Sequence, residues 1–448
     1  MPAHIDAIHA AGGKVYEVGG VVRDRLLGLP SKDADLLVTG VPAAALKSLL
    51  ERLGEVHLVG QSFGVLKFKP KGHSGEPIDI ALPRVERSTG AGHRDFEVSF
   101  DHTLPVDVDL GRRDFTVNAI AQDLRTGEFV DPHGGRKDLE ARKLRVVFER
   151  AFEEDPLRIL RGIQFAARLK LVVEPATREL MKKHAPLVAT VSVERVVQEL
   201  KKLLLAQTPS IGFYLMREVG VMKLILPELE ALTGVLQPGK EKVGDAFDHT
   251  LKVLDAARGD AALDNAGDAT LMIAALFHDL GKATTAKLEE NGRLTFHGHQ
   301  FVSKKLARRR MEQLKIQQMG VSPDEILTLV ENHMFDTGPE FTDKALRRFA
   351  RKIGVPLVFK QIDLRIADNR GGAHPQNIKK PLNLRRRIRE ELDRKAPFGL
   401  KDLAINGNDL LEHGYAPGPK IGLKLNELLE LVLDEPDLNT REELLKRI

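Results

Sequence analysis

Short apolar runs broken by glycine and proline fill the first part of the chain: "KVYEVGG", "ADLLVTG", "GVLKFKP", "PIDIALP" and "EFVDPHGG". Runs of this length bounded by turn residues predict strands. Together they read as a mixed α/β domain over residues 1–140. From about residue 141 the period changes. "PLRILRGIQFAARLKL" and "SVERVVQELKKLLLA" place apolar residues three and four apart, which predicts helices. That period dominates to the C-terminus, so the rest of the chain is expected to be all-α. The small, polar stretch "ARGDAALDNAGDAT" reads as a loop within the helical part. "NRGGAHPQNIKKP" marks a boundary near 370–381.

A chain of 448 residues is too long for one ordinary core, so several domains are expected. Hydrophobic residues at 42% and charged residues at 29% fit a soluble globular protein. The absence of cysteine excludes disulfides, thiolate metal sites and cysteine nucleophiles, and leaves 15 histidines as metal ligands. No run of eighteen apolar residues and no signal-peptide pattern occurs, which predicts a cytoplasmic protein without a membrane partner. The net charge of +4 is compatible with nucleic acid, and equally with an ordinary soluble protein.

The segment "YEVGGVVRDRLLGLPSKDADLLV" carries the first candidate chemistry. Asp33 and Asp35 are two apart, and on a strand such residues share a face. Side-by-side carboxylates repel unless a divalent cation joins them. Oxygen ligands suit Mg²⁺, which also binds phosphate oxygens. An isolated Asp-x-Asp is more often a solvent-facing turn, but its neighbours change the balance. Gly19 and Gly20 let backbone N–H groups approach a phosphate. Arg23 and Asp24 open an expected helix, whose N-terminus favours anions. Two-metal phosphoryl transfer calls for a third carboxylate, and Asp79 in "PIDIALPR" is the candidate, with a strand-edge acid as the competing reading.

In "RRDFTVNAI", Arg112, Arg113 and Asp114 precede Asn118, which puts guanidinium forks suited to phosphate beside polar groups. In "EDPLRILRG", Asp155, Arg158 and Arg161 are spaced by three, which predicts one helix face. A carboxylate accepts from an exocyclic amino group and a guanidinium donates to ring acceptors. Such a pair accepts cytosine and adenine and rejects uracil and guanine. An ordinary surface salt bridge is the alternative.

Downstream, "LFHDLGK" places His278 and Asp279 together on an expected apolar helix. His249, His297, His299, His333 and Asp368 complete a series in helical context. A lone histidine there is usually a core residue, but a series from several helices can converge on Mn²⁺, Ni²⁺, Mg²⁺ or Fe. Three basic clusters, at 303–315, 346–352 and 378–395, are candidates for RNA phosphate contacts, or else solvated helix faces.

In order, "VGGVVRDRLLG…KDADLLV", "GRRDFTVNAIAQD", "VDPHGGRKDLEARKLR", "EDPLRILRGIQFAARL" and "SVERVVQEL" resemble the bacterial tRNA nucleotidyltransferases, the CCA-adding enzymes of the polymerase-β-type superfamily. "LPELEAL" and the C-terminal "LAINGNDLLEHGYAPGPKIGLKLNELLELVL" extend the likeness. The resemblance implies an α/β nucleotidyltransferase head followed by an all-α neck, body, HD domain and tail. It implies CCA addition to the tRNA 3′ end from CTP and ATP. Asp33 and Asp35 would hold two Mg²⁺, with Asp79 beside them. Gly19, Gly20, Arg23 and Arg113 would bind the triphosphate, Asn118 the ribose, Asp155 and Arg158 the base, and Arg161 the nucleotide. Gln164 stands where many relatives have Arg, so it is not counted as a ligand. A loop at 84–98 would help the change from CTP to ATP.

The histidine series resembles the HD phosphohydrolase superfamily, whose linked activities are 2′,3′-cyclic phosphodiesterase, 2′-nucleotidase and phosphatase. That likeness implies His249, His278, Asp279 and Asp368 as ligands, with His299 and His333 at a second metal position. The implied division is a head at 1–140, neck and body at 141–240, an HD-type domain at 241–370 and a tRNA-binding tail at 371–448. CC- or A-addition alone, and HD hydrolysis as the main activity, remain alternatives. Poly(A) polymerase, which typically lacks an HD domain, and a non-catalytic RNA-binding role rank lower.

Overall fold

In a computed structural model, the described residues are 2–30, 35–59, 65–88, 96–237, 244–290, 294–335, 342–355, 357–394 and 397–448. They fall into two compact units: Met1–Leu203 with Ile211–Leu224, and Leu204–Ser210 with Ile225–Ile448.

The first unit is built on a mixed sheet. Its strands are β1 (Lys14–Val18), β2 (Asp35–Thr39), β3 (Gly54–Val59), β4 (Val65–Pro70), β5 (Ile78–Ala81), β8 (Ala121–Asp123) and β9 (Phe129–Val130), in the order β3-β4-β5-β2-β1-β8-β9. β2 and β5 are parallel, and the other neighbours are antiparallel. The period-2 pattern decides the layers. Leu36, Val38, Phe68 and Ile80 face Ile5 and Ile8 of α1 (Ala3–Ala10) and Leu46 and Leu50 of α3 (Ala43–Leu53). Val18 and Leu37 face the other way, against Val106 and Leu110 of α4 (Val106–Gly111). Each such fully buried Leu or Ile contributes about 2 kcal/mol. Asp35 shares its parity with Leu37 and Asp79 shares its parity with Ala81, so both carboxylates belong to the α4 face.

Between β1 and β2 runs α2 (Gly20–Leu26). The stretch expected as a loop at 84–98 is largely a ladder of β6 (Arg84–Ser88) and β7 (Phe96–Phe100). The tip at 89–95 lies outside the described residues. α5 (Gly135–Glu140) carries buried Asp138, which accepts from Thr116 Oγ1 at 2.7 Å and Arg145 Nη2 at 2.5 Å. It thereby fixes the turn at 116–118. α6 (Ala151–Glu154) and α7 (Leu157–Leu169) follow.

The second unit is helical. Helices Ala246–Gly259 and Ala269–Phe277 start at Asp245 and Asp268, whose side chains accept from the backbone N–H three residues on. They pack with helices His299–Leu314, Pro323–Glu331 and Leu357–Gly371. Helices Lys379–Asp393 and Pro419–Asp434 follow. A separate small core of Leu403, Ile405, Leu410, Leu428 and Leu444 closes the C-terminal part.

Candidate functional site

Asp35 is the first residue of β2, and in the parallel ladder its register partner is Asp79. Adjacent strands lie about 4.8 Å apart, so the two carboxylates stand side by side on one face. Lys67 Nζ reaches Asp79 Oδ1 at 2.8 Å from β4, and that hydrogen bond, with the Asp79 charge, raises the Lys67 pKa. Asp33 lies outside the described residues. Oxygen donors without nitrogen or sulfur fit Mg²⁺.

Asp35 lines a cavity of about 660 Å³ that also receives Gly20, Arg23, Arg113, Asn118, Asp155, Arg158 and Arg161. Eight cationic side chains face four carboxylates around it, so the site favours a polyanion. A volume of this order suits a nucleotide-sized ligand.

The polar groups form one chain of hydrogen bonds. Arg23 Nη1 donates to Asn118 Oδ1 at 2.6 Å. Asn118 Nδ2 donates to Asp114 Oδ1 at 2.9 Å, and Arg161 Nε donates to Asp114 Oδ2 at 2.7 Å. Burial pushes the Asp114 carboxyl up, but Arg161 and Asn118 overcome it and hold it below the usual carboxylate range. Gly19 has φ 74°, and a Cβ there would run into the Arg113 guanidinium, so only glycine serves at this turn.

The expected helix face of Asp155, Arg158 and Arg161 is corrected. Asp155 is extended (φ −139°, ψ 98°) in the break between α6 and α7. The cause is Pro156, because the residue before proline is driven out of the helical region. Asp155 nevertheless reaches the cavity, where Oδ2 accepts from Arg195 Nη2 at 2.8 Å. Arg158 is buried and donates to the carbonyls of Ala151 and Arg112. Gln164 lines the cavity and accepts from Arg168, one turn further on.

Sequence reasoning missed Asp109. It is fully buried and accepts from Arg112 (2.9 Å to Nε) and Arg113 (3.1 Å to Nη2). The signal was present in "DLGRR" as i,i+3 and i,i+4 pairs. Burial alone would raise its pKa. Arg113 and Arg112 outweigh that and lower it. A depressed folded pKa means that this stabilisation is present above the unfolded value and is lost as pH falls through the folded one. Asp109→Asn should therefore cost about 2–4 kcal/mol near neutral pH. It should also flatten acid unfolding below about pH 4 and raise the KM for nucleotide. A denaturant series at pH 7 and pH 3 measures the first two. A variant as stable as the wild type at both pH values would remove Asp109 from this role.

The second unit holds the other cluster. His278 and Asp279 lie just past the end of helix Ala269–Phe277, not on it. Asp279 joins two groups of ligand atoms, one with His249 and His278 and one with His299 and His333, each within 4.8 Å. Asp368 Oδ1 lies 3.0 Å from His249 Nε2. In all four histidines Nδ1 contacts a backbone carbonyl, of Gly371, Ala275, Phe296 and Val330 respectively. A carbonyl only accepts, so Nδ1 carries a proton in every protonation state, and the neutral form of each ring presents its lone pair at Nε2. His299 Nε2 and His333 Nε2 are 3.1 Å apart, which sets two lone pairs face to face. His278 Nε2 and Asp279 Oδ2 are buried 3.1 Å apart, and Lys282 Nζ lies 2.5 Å from the same oxygen. Such a donor set fits a divalent metal ion. Burial raises the Asp279 pKa, but His278 and Lys282 overcome it and hold the carboxylate ionised. Beside the cluster is a cavity of about 670 Å³ lined by Lys282, Phe296, Met334, Arg365 and Asn369 among others.

Two of the three basic clusters are engaged within the chain. Arg347 pairs with Glu391 at 2.6 Å, and Arg348 and Arg351 pair with Glu430. Arg385 pairs with Asp363 and Asp264, Arg387 with Asp343, and Arg389 with Asp264.

Four family models match the chain in succession. Residues 15–145 match the poly A polymerase head domain, 170–233 the "Probable RNA and SrmB- binding site of polymerase A", 246–371 the HD domain and 387–448 a tRNA nucleotidyltransferase domain 2. A multifunctional CCA protein of Thioalkalivibrio sulfidiphilus is 43% identical over 278 residues, 61% of this chain and 64% of that protein. The match thus spans just under two thirds of that relative. The multifunctional CCA protein of Nitrosomonas europaea is 39% identical over 324 residues, 71% of this chain and 73% of that one. The crystal structure of the Bacillus stearothermophilus CCA-adding enzyme in complex with CTP superposes with a TM-score of 0.71 at 26% identity, covering 99% of this chain and 95% of that one.

Proposed function

The chain belongs to the multifunctional CCA protein family, and from that premise we propose that it adds C, C and A to the 3′ end of tRNA from CTP and ATP, releasing pyrophosphate. The observation that carries this reading is the Asp35–Asp79 pair, side by side on parallel strands at a cavity rich in arginine. Asp33, Asp35 and Asp79 would hold two Mg²⁺, which when bound activate the 3′ hydroxyl and offset charge on the reacting phosphate. Arg23 and Arg113 orient the triphosphate, aided by the backbone at Gly19 and Gly20, and Asn118 takes the ribose. Asp155 and Arg158 read the base. Arg158 keeps N–H groups beyond the two given to carbonyls. Arg161, steadied by Asp114, supplies further charge at the nucleotide. The same reading divides the chain into head 1–140, neck and body 141–240, HD-type domain 241–370 and tail 371–448.

A second activity rests on the four histidines anchored through Nδ1. The Asp279 cluster, with Asp368, would bind Mn²⁺, Ni²⁺, Fe or Mg²⁺ and hydrolyse phosphoesters.

The test is incorporation of CTP and ATP by the purified chain on tRNA transcripts that end before CCA, after C, and after CC. Full CCA on the first transcript is expected. Addition of C without A, or of A only after CC, would replace it with a split activity. No incorporation on any transcript would end the transferase reading.

A further inference from the structure

Of the three basic clusters, the one at 303–315 is engaged differently from the others. Lys304 pairs with Glu331, and Arg310 pairs with Glu228 through two hydrogen bonds of 2.8 Å. Lys305, Arg308 and Arg309 are exposed, and among the described residues none of them has an ion pair or hydrogen bond. They lie on helix His299–Leu314 at i, i+3 and i+4, so they share one face. Phe301, 60% exposed, stands four residues before Lys305 on the same face, and Glu312 ends it. At 1.5 Å per residue, Lys305 is about 6 Å and Arg309 about 12 Å beyond Phe301 along the axis.

This face begins at the metal cluster. His299, the first residue of the helix, belongs to the Asp279 group, and Gln300 lines the 670 Å³ cavity. Met334, on the same cavity wall, is 54% exposed. A mononucleotide would be held by the cavity alone. A row of unpaired cations leading away from the cavity, with an exposed aromatic ring at its start, suits a longer polyanion whose bases can stack.

We propose that this face is a track for a single-stranded RNA 3′ end, which places a terminal phosphoester of that strand at the Asp279 cluster. The proposal rests on the hydrolytic reading of the second unit and names its substrate class as RNA ends in preference to free nucleotides. Lys305, Arg308 and Arg309 bind successive phosphates, and Phe301 stacks on a base. For a terminal 2′,3′-cyclic phosphate, the water oxygen forms the new P–O bond and one ribose P–O bond breaks. The freed ribose oxygen takes up the proton that the water loses.

The test uses the full chain with Mn²⁺ and two substrates: a 12-nucleotide RNA ending in a 2′,3′-cyclic phosphate, and 2′,3′-cyclic CMP. The variant is Lys305→Ala/Arg308→Ala/Arg309→Ala. Its kcat/KM on the RNA should fall by about tenfold or more, with the salt dependence of log(kcat/KM) about two units shallower. Its kcat/KM on cyclic CMP should stay within about twofold, because none of the three residues touches the cluster. Phe301→Ala should lower the RNA value alone. Unchanged RNA kinetics, or equal losses on both substrates, would overturn the track. If the wild-type chain cleaves neither substrate, the hydrolytic reading fails, and crosslinking still decides the surface. 4-Thiouridine near the RNA 3′ end should crosslink to the 299–315 peptide in the wild type and not in the triple variant. Crosslinks confined to other segments would dismiss the surface.

Discussion

Asp35→Asn should cut CTP and ATP incorporation by about three orders of magnitude or more, while thermal stability stays level or rises. The two effects separate because the proposed role of the carboxylate in chemistry comes at some cost to the fold. Asp35 and Asp79 are register partners, and like charges directly opposite destabilise a ladder. Lys67 offsets part of that repulsion from β4, and both it and Asp79 are over a third exposed, which weakens the pair. Removing one carboxylate therefore relieves the strands and removes a proposed metal ligand in the same stroke. Asp79→Asn should lose about two to three orders of magnitude of incorporation, and the Lys67 pKa should fall back toward its ordinary value. Incorporation kinetics on a tRNA transcript ending in CC and thermal melts of both variants are the measurements. A residue that mattered only for folding would lose activity and Tm together. Activity within tenfold of wild type would remove Asp35 from the reacting centre. Hydrolysis at the Asp279 cluster should be unchanged, which separates a local effect from general damage.

Much of this centre was legible in the chain because strands impose a strict period. Once "ADLLV" and "PIDIA" are read as strands, parity alone puts Asp35 with Leu37 and Asp79 with Ala81. What parity could not supply was the neighbour relation. β2 and β5 are 44 residues apart by their paired aspartates, and their parallel pairing is a property of the sheet. The departure at Asp155 has a local cause visible in the chain: Pro156 overrides the spacing by three. Arg195, which holds Asp155 from 40 residues away, had no local signal at all. The basic clusters illustrate the opposite limit. Sequence counts charges, but Arg348 and Arg351 meet Glu430, and Arg385 meets Asp363, only after folding. Net charge in a segment thus says little about which cations stay available to RNA.

His278→Ala should abolish the metal response of the second unit and leave nucleotide addition intact. In the wild type, Mn²⁺ at about 100 times its dissociation constant should stabilise the fold that binds it by about 2.7 kcal/mol. For a unit of this size that is a rise in Tm of roughly 5–10 °C. The rise reflects the present arrangement of lone pairs. The Nδ1 anchors leave the Nε2 atoms of His249, His278, His299 and His333 turned toward Asp279, and two of them meet at 3.1 Å. A cation relieves that arrangement, whereas apolar packing does not. His278→Ala removes one ligand of the group with His249 and Asp279, so the Mn²⁺ shift should drop below about 2 °C. Hydrolysis of 2′,3′-cyclic CMP should fall by about a thousandfold. Asp279→Asn is the less clean variant, because Lys282 Nζ lies 2.5 Å from that carboxylate and would keep a buried charge without its partner. The loss should then be about 3–5 kcal/mol even in metal-free protein. Melting curves with EDTA and with Mn²⁺, read beside incorporation rates for each variant, distinguish the cases. A Mn²⁺ shift retained in full by His278→Ala would place the metal elsewhere. Loss of nucleotide addition in the same variant would show that the two centres do not act independently.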